Sequence, residues 1–290
     1  MKVYLITVLC FITAAAFFTG CISENNGREK EIPAGCGRIV STAPSITETL
    51  FELGLGGNVE GVTESCKYPD EAAKITRIGS VLDVNMETVI SLRPDTVFVI
   101  SANSGLVQRL HDLNIKTFIV DQSTVAGFMK SLDEIGEKCA VSQKAAEIKS
   151  AIEKRMKTVR SGEKKKIMVV AGRDYFSSDI KDVYIAGNDG FYSELISLAG
   201  HENVYDGALS YPKIQVEGLI SLDPDIIFDV ITNGGMCENS EKYLKSWSAL
   251  RDLKAVKNGS VFMICKDHWS IPGPRFMNIV EDIQLRSGVK

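Results

Sequence analysis

Two segments of this chain, far apart in sequence, are close copies of one another. Residues 86–101 read METVISLRPDTVFVIS, and residues 216–232 read VEGLISLDPDIIFDVIT. Aligned on Glu87 and Glu217, both continue with Ile-Ser-Leu (Ile90, Ser91, Leu92; Ile220, Ser221, Leu222), then Pro-Asp (Pro94, Asp95; Pro224, Asp225) and an apolar run. Each copy reads as a short helix stopped by a proline, a turn on an aspartate and a buried strand. A second echo follows each, NIKTFIVDQS at 114–123 and NGSVFMICKD at 258–267. Solenoid repeats recur every roughly 20–50 residues, so so wide a spacing implies two lobes built alike. A cleft between two such lobes is a natural binding site.

The start of the chain says where that site works. Lys2 is followed by seventeen uncharged, mostly apolar residues, Val3 to Thr19, and then Gly20-Cys21. A basic start, an apolar core and a small residue at the end make an export signal. The Thr-Gly-Cys ending resembles a lipoprotein signal, in which Cys21 becomes the first mature residue and carries lipid on its sulfur. The alternative is an uncleaved membrane anchor, since the apolar run is near the lower length limit for a span. Either way the rest of the chain lies outside the cytoplasm, held at the outer face of the cell membrane. Residues 23–35, SENNGREKEIPAG, are polar and without period, and read as a flexible tether.

Beyond the tether the chain is long enough for two domains of ordinary size with cores of their own. Removing residues 1–20, which carry one Lys and no acid, moves the formal charge from −4 to −5. That mild acidity, and the lack of any basic stretch interleaved with aromatics, argue against a nucleic-acid partner. The run Lys164-Lys165-Lys166 ends a predicted helix, where cations complement the dipole. Of the seven cysteines, Cys10 belongs to the signal and Cys21 to the lipid. An oxidising compartment permits disulfides among the other five. Among the possible connectivities, the local ones are expected: Cys36 with Cys66 and Cys237 with Cys265, leaving Cys139 buried in a helix. There is no Cys-x-x-Cys pair, which argues against a structural zinc site.

Strands alternate with helices. Arg38–Thr42 reads as a strand; Pro44 follows, and Ser45-Ile-Thr-Glu48 reads as a capping box opening a helix that ends at Gly54. Val59–Thr63, Thr96–Ile100 and Thr117–Val120 read as further strands. The pattern restarts with Lys166–Ala171, a helix near Phe191–Ala199, and strands at Ile226–Val230 and Ser260–Ile264; a helix from Pro274 closes the chain. Such alternation predicts an α/β protein of two Rossmann-like lobes with parallel sheets. Between them, from Ser142 to about Lys164, Ala146, Ile148, Ile152, Met156 and Val159 form an apolar stripe. This predicts one long connector helix of roughly 20 residues, about 30 Å. The expected organisation is a signal at 1–20, a tether at 21–36, a first lobe at 37–141, the connector at 142–164 and a second lobe at 165–290.

In this order the residues resemble a known family, the helix-linked periplasmic-type solute-binding proteins of ABC importers. That family includes vitamin B12-, haem- and ferric-siderophore-binding proteins, and the pattern is nearest to the vitamin B12 binders. The matching stretches are RIVSTAPSITETLFELG (38–54), VEGVTESCKYP (59–69), NMETVISLRPD (85–95), AGHENVYDG (199–207), SYPKIQVEGLISLDPDIIF (210–228) and KDHWSIPGPRF (266–276). The resemblance implies a monomeric binding protein with no cofactor of its own. It would capture a corrinoid, haem or ferric chelate and deliver it to an ABC permease dimer with its ATPase. It also implies that Glu87 and Glu217, one per lobe, dock onto arginines of that permease. A Glu in a helix's first turn is also stabilised by the dipole, by about 0.3–1 kcal/mol, and both roles can hold at once.

Ligands of open α/β sheets bind beyond the C-terminal ends of the strands. The candidates there are Pro44, Ser45 and Tyr68 from the first lobe. From the second come Arg173, Tyr175, Phe176, Tyr211, Asp267, His268 and Trp269. Aromatics facing a cleft suit a large flat ligand. The vitamin B12-binding pattern is richer in tryptophan than this chain, which has two, Trp247 and Trp269; Tyr211 stands where a Trp is expected and Val81-Leu82 replaces another aromatic stretch. Three histidines, His111, His201 and His268, are too scattered for a dedicated zinc or manganese site; His268 alone is placed to meet a ligand's metal axially. Arg173 and Arg275 suit an anionic chelate. Gly54-Leu-Gly56-Gly57 follows a helix rather than a strand, and no Walker loop, Gly-x-Ser-x-Gly elbow or His-Glu-x-x-His appears. An extracytoplasmic enzyme and an interaction-only surface lipoprotein are therefore the lesser alternatives.

Overall fold

The computed structural model describes residues 36–288 apart from positions 161, 178, 189 and 233. The export signal and Cys21 lie outside the described residues.

The first lobe is an alternation in which every strand is followed by a segment that returns to the sheet's N-terminal end. It runs β1 (Ile39–Ser41), α1 (Pro44–Glu52), β2 (Val59–Val62), β3 (Thr76–Arg77), α2 (Met86–Ser91), β4 (Thr96–Ile100), α3 (Ser104–Asp112), β5 (Thr117–Val120) and α4 (Val125–Lys138). Its five strands stand in the order β3-β2-β1-β4-β5, all parallel. Near-continuous apolar strands such as Thr96–Ile100 are what a sheet covered on both faces needs.

α5 (Ser142–Lys157) leads to the second lobe: β6 (Lys166–Arg173), β7 (Asp182–Ile185), α6 (Phe191–Leu198), β8 (Glu202–Asn203), β9 (Lys213–Gln215), α7 (Val216–Leu222), β10 (Ile226–Val230), α8 (Ser240–Trp247), α9 (Lys254–Lys257), β11 (Val261–Ile264) and α10 (Phe276–Ser287). The sheet order is β11-β10-β6-β7-β9, with β8 beside β6. β11, β10 and β6 are parallel, as the strand–helix alternation predicts. β7 runs antiparallel to both β6 and β9. These two short strands, and α8, carry too few residues for a period to show. The connector helix is also shorter than its apolar stripe suggests, ending at Lys157 with Thr158 as C-cap.

The structure corrects one cysteine pairing. Cys36 is bonded to Cys139, and Cys66 is a buried free thiol. Strand direction explains this. Cys36 precedes β1 while Cys66 follows β2, and the two strands are parallel, with Ile39 beside Val59 and Ser41 beside Val62. The two residues thus sit at opposite ends of the sheet. α4 runs back along the sheet and brings its C-cap, Cys139, to the end where Cys36 lies. Cys66 Sγ instead meets the hydroxyls of Thr47 and Thr63, each at 3.1 Å. Cys237 is bonded to Cys265.

The lobes share one apolar core. A single cluster runs from Ile39, Leu50 and Phe128 to Ile167, Phe228 and Phe276. The Phe276 ring meets Phe128 at 5.7 Å and Phe191 at 6.0 Å, both edge-on. The Val125 N–H, at the start of α4, donates to Glu194 of α6 at 2.6 Å. The lobes are therefore joined by packing as well as by α5. No helix among the described residues is long and apolar enough to cross a membrane.

Candidate functional site

The C-terminal strand ends of both sheets open into one cleft, floored by residues 270–272. On the first lobe's side, Pro44 and Ser45 after β1, Ile100 and Ser101 at the end of β4, and Gln122 after β5 line a hollow of about 240 Å³. On the other side, Gly172 of β6, Tyr184 of β7, Tyr192 of α6, Tyr211 and Trp269 line a hollow of about 440 Å³. Ser270 and Pro272 belong to both walls, so the two hollows are halves of one site. Gly273 passes so close to α1 that a Cβ there would lie 3.3 Å from the Ser45 Cα.

Local structure presents each wall residue. Pro44 occupies the first turn of α1 behind an extended Ala43, and no side chain caps that helix. The predicted capping box does not form, because Ala43 rather than Ser45 is the N-cap; Glu48 instead meets Arg275. Tyr211 is carried on a segment pinned by two backbone bonds, Gly187 N–H to Ser210 O at 2.7 Å and Ile185 N–H to Pro212 O at 3.1 Å. Gly187 admits no side chain, since a Cβ would lie 1.7 Å from Leu209 O. Trp269 is buried; it packs on Phe228 at 5.0 Å, its indole N–H donates to Asp282 at 3.0 Å, and its carbonyl accepts from the Tyr192 hydroxyl. Burial holds that hydroxyl protonated well beyond the usual tyrosine range.

Several predicted site residues stand elsewhere. Arg173 and Tyr175 turn into the second lobe, where buried Asp229 accepts from Arg173 Nε at 2.8 Å, the Tyr175 hydroxyl at 2.7 Å and Trp247 Nε1 at 2.8 Å. A carboxylate inside a central strand must be paired there, and nothing in an apolar run flags it from sequence. Burial first, and then the Asp229 charge, push the Tyr175 hydroxyl far up, so it serves as a donor. Phe176 projects from the same loop, almost fully exposed.

Asp267, His268 and Trp269 diverge along one short 3-10 turn, Asp267–Ser270. Asp267 faces Arg275, with contacts of 3.0 and 3.1 Å. Burial opposes the ionised form of Asp267, but the Arg275 hydrogen bonds and charge outweigh it and hold the carboxyl below its ordinary range. His268 is buried, with Nδ1 3.8 Å from Asp267 and Nε2 3.6 Å from Asp282, and lines neither half of the cleft.

Arg275 also binds Glu48 of the first lobe through Nε and Nη2, and its guanidinium lies 4.0 Å over the Tyr68 ring. Arg275 and Tyr68 thus brace the two lobes together behind the cleft. His201 is buried against the Ser287 hydroxyl at 2.8 Å, and burial lowers its pKa; His111 is exposed beside Asp112. Among the described residues no group of three or more His, Cys, Asp or Glu is placed to hold a metal ion.

Two features of the cleft were not read from sequence. Among the described residues, neither half is lined by a charged side chain. Gln122 is 4% exposed, donates from Nε2 to Thr49 at 3.1 Å, and its buried Oε1 accepts no hydrogen bond among the described residues. Its place after β5, in the second echo of the repeat, was the available signal. Glu87 and Glu217 are exposed in the first turns of α2 and α7.

Comparison with known proteins agrees with this geometry. A family model described as periplasmic binding protein matches residues 39–267. An uncharacterized ABC transporter substrate-binding lipoprotein of Bacillus subtilis is 28% identical over 278 residues, covering 92% of this chain and 84% of that protein. Among solved structures, the periplasmic vitamin B12-binding protein of Vibrio cholerae superposes with a TM-score of 0.75 at 23% identity, over 87% of this chain and 97% of that one. A periplasmic haem-binding protein of Roseiflexus sp. superposes with a TM-score of 0.74 at 19% identity, over 86% of this chain and 97% of the other.

Proposed function

This chain belongs to the periplasmic binding protein family, and from that membership we propose that it is the extracytoplasmic receptor of an ABC importer. Its cargo is a corrinoid-type metal chelate, held between the lobes and delivered to a permease dimer and its ATPase. The Bacillus subtilis relative, named a substrate-binding lipoprotein of an ABC transporter, supports the importer role and the lipid anchor on Cys21.

The observation that carries the choice of cargo is a cleft whose described lining residues bear no charge. Tyr184 and Tyr211, exposed on the second wall over buried Tyr192 and Trp269, offer apolar area for a broad flat ligand. Gln122 Oε1, buried in the cleft wall with no hydrogen-bond partner among the described residues, would suit a peripheral amide N–H, the donor a corrinoid carries in several copies, once binding turns it outward. Haem and many ferric siderophores bring carboxylates or other anions, which this wall would desolvate with no cation to meet them. They form the second reading, supported by the haem-binding structural neighbour.

Glu87 and Glu217 occupy equivalent exposed positions on the two lobes, which suits docking on a partner that presents the same cation twice. The shared core and the Arg275 brace favour a modest hinge over a wide closure.

The test is a thermal-shift titration of the protein from Ser23 onward with cyanocobalamin, dicyanocobinamide, haemin and several ferric siderophores. A corrinoid at a hundred times its Kd should stabilise the fold by about 2.7 kcal/mol, with visible absorbance that co-purifies. A saturable shift with haemin alone would replace the corrinoid reading with the haem one. In cells, the double change Glu87→Lys and Glu217→Lys should abolish uptake and leave that shift intact; loss of both together would count against docking.

A further inference from the structure

We propose that the Cys237–Cys265 disulfide is a redox-sensitive latch, opened by an extracytoplasmic dithiol, that sets how firmly one wall segment of the second lobe is held. Its effect on cargo rests on reading the cleft as the cargo site.

The two disulfides differ in access. Cys36 and Cys139 are 0% and 2% exposed, so a thiol reaches that bond only when the first lobe opens. Cys265 is exposed and Cys237 half-buried. Disulfides exchange only where a thiolate can reach a sulfur, and exposed ones are the labile ones. The strands beneath this bond do not need it. β10 and β11 already pair from Ile227 to Val230 and from Val261 to Ile264, and the Ile231 N–H donates to Ile264 O at 2.9 Å. The ladder ends there. Cys265 is the next residue, and Cys237 lies in the short 3-10 turn Gly234–Asn239.

What the bond ties is the continuation of each strand beyond the sheet. Thr232, ahead of Cys237, and Trp269 and Ser270, after Cys265, line the same half of the cleft. The turn that carries Trp269 keeps its bonds to Asp282 and Tyr192 with or without the disulfide. Past the other segment, α8 is held on the Asp229 hub, through Trp247 Nε1 and through the Tyr243 carbonyl that accepts from Arg173. Reduction therefore frees the Gly234–Asn239 turn between two fixed ends, and Thr232 with it. In the exchange, one thiolate of the dithiol attacks the sulfur of Cys265. The Cys237–Cys265 bond breaks, a mixed disulfide forms and Cys237 leaves as its thiolate. The second thiolate of the dithiol then displaces Cys265, so that the dithiol ends oxidised and the two cysteines reduced. Cys66, the free thiol, is buried in the first lobe and takes no part.

To test this, the folded protein from Ser23 onward is incubated with dithiothreitol, alkylated at intervals and mapped by mass spectrometry. Cys237 and Cys265 should become reactive sooner than Cys36 and Cys139 by a factor on the order of a hundred. Equal rates, or earlier opening of Cys36–Cys139, would overturn the latch. Amide hydrogen exchange then reads the wall with no ligand present. Reduction should speed exchange across 234–239 about tenfold and leave the β10 and β11 amides as they were. No change in 234–239 would overturn the latch, and so would lost protection throughout the second lobe, which would make the bond a plain staple. Dicyanocobinamide, cyanocobalamin and haemin are titrated before reduction, after it and after reoxidation. For the chelate that binds, Kd should rise about tenfold on reduction and return, because the freed turn must be ordered again. The paired change Cys237→Ser and Cys265→Ser should show the weaker Kd and no response to dithiothreitol. An unchanged Kd would overturn the effect on cargo. If the oxidised protein binds none of these chelates while the alkylation and exchange results hold, the cargo reading fails and the latch stands.

Discussion

In both lobes the aspartate of the repeated Pro-Asp pair closes the start of a central strand. Asp95 accepts from the Arg38 N–H at 2.9 Å and returns its own N–H to Arg38 O at 2.8 Å. Asp225 does the same with Lys166, at 2.8 and 2.9 Å. The residue two places earlier, Arg93 in one copy and Asp223 in the other, is left-handed in both, with φ of 46° and 41°. The echo in the sequence is thus an echo of backbone hydrogen bonding, and β5-β4-β1 matches β11-β10-β6.

Away from that frame the lobes part. β2 and β3 extend the first sheet in parallel, whereas β7 turns back against β6. Val99 is buried in the first lobe where Asp229, at the matching place in the repeat, anchors a polar hub in the second. The first half of the cleft is walled by small residues and the second by aromatics. The duplicated part holds the strands in place, and the parts that differ face the ligand or carry it.

The disulfides offer the largest contrast. They close chain segments of 103 and 28 residues. In the chain-entropy account, loss of Cys36–Cys139 should cost about 4.7 kcal/mol and loss of Cys237–Cys265 roughly 3.5. Urea unfolding of the paired Cys→Ser variants checks the order, and a larger loss for the second pair would show that loop length does not govern it.

Next comes the hub. Asp229→Asn leaves the Arg173 charge buried without its partner and should cost about 3–5 kcal/mol. Val99→Ala, at the matching place, should cost about 1–2 kcal/mol, the transfer of the lost methyl groups. Equal losses by urea unfolding would mean that the hub is no more than packing. Asp95→Ala and Asp225→Ala should each cost about 1–2 kcal/mol, as charge-assisted bonds to exposed backbone at a strand start. Values differing by more than a factor of two would break the equivalence of the copies.

The smallest effect is in pH. Two acids brace the segment 266–275, one from each lobe. Burial raises the Asp282 carboxyl, but the nearby His268 ring and hydrogen bonds from Lys266 and Trp269 outweigh this and hold it well below 3.8. Its contribution is full above about pH 4 and is lost as pH falls below that. Burial is the larger influence on Glu48 and leaves it above 4.5 in spite of Arg275. Its contribution is full below about pH 4.5 and is lost as pH rises through the native value. Between about pH 5 and pH 3, the stability gap between wild type and Asp282→Asn should therefore narrow, and the gap to Glu48→Gln should widen. Gaps that move in the same direction would contradict this assignment.

Much of the fold was legible in the chain because its signals are local. The repeat, the strand–helix alternation and the stripe on α5 are periodicities of neighbouring residues. β7, β9 and α8 were missed because they are short. In the site, Pro44, Ser45, Tyr211 and Trp269 stand in the cleft wall. Tyr68, Arg173 and Tyr175 were drawn to partners distant in sequence, and Asp267 and His268 to Arg275 and Asp282 further along the same stretch.

By itself the sequence determined the α/β class, the two-lobed plan and the repeated strand clamps, since apolar period and turn chemistry act within a few residues. Tertiary structure alone decided that Cys36 meets Cys139, that Asp229 claims Arg173, that Glu48 and Arg275 join the lobes, and that the described walls of the cleft carry no charge. Buried charges and thiols take whichever partner the strand directions bring near, and no local pattern records that choice.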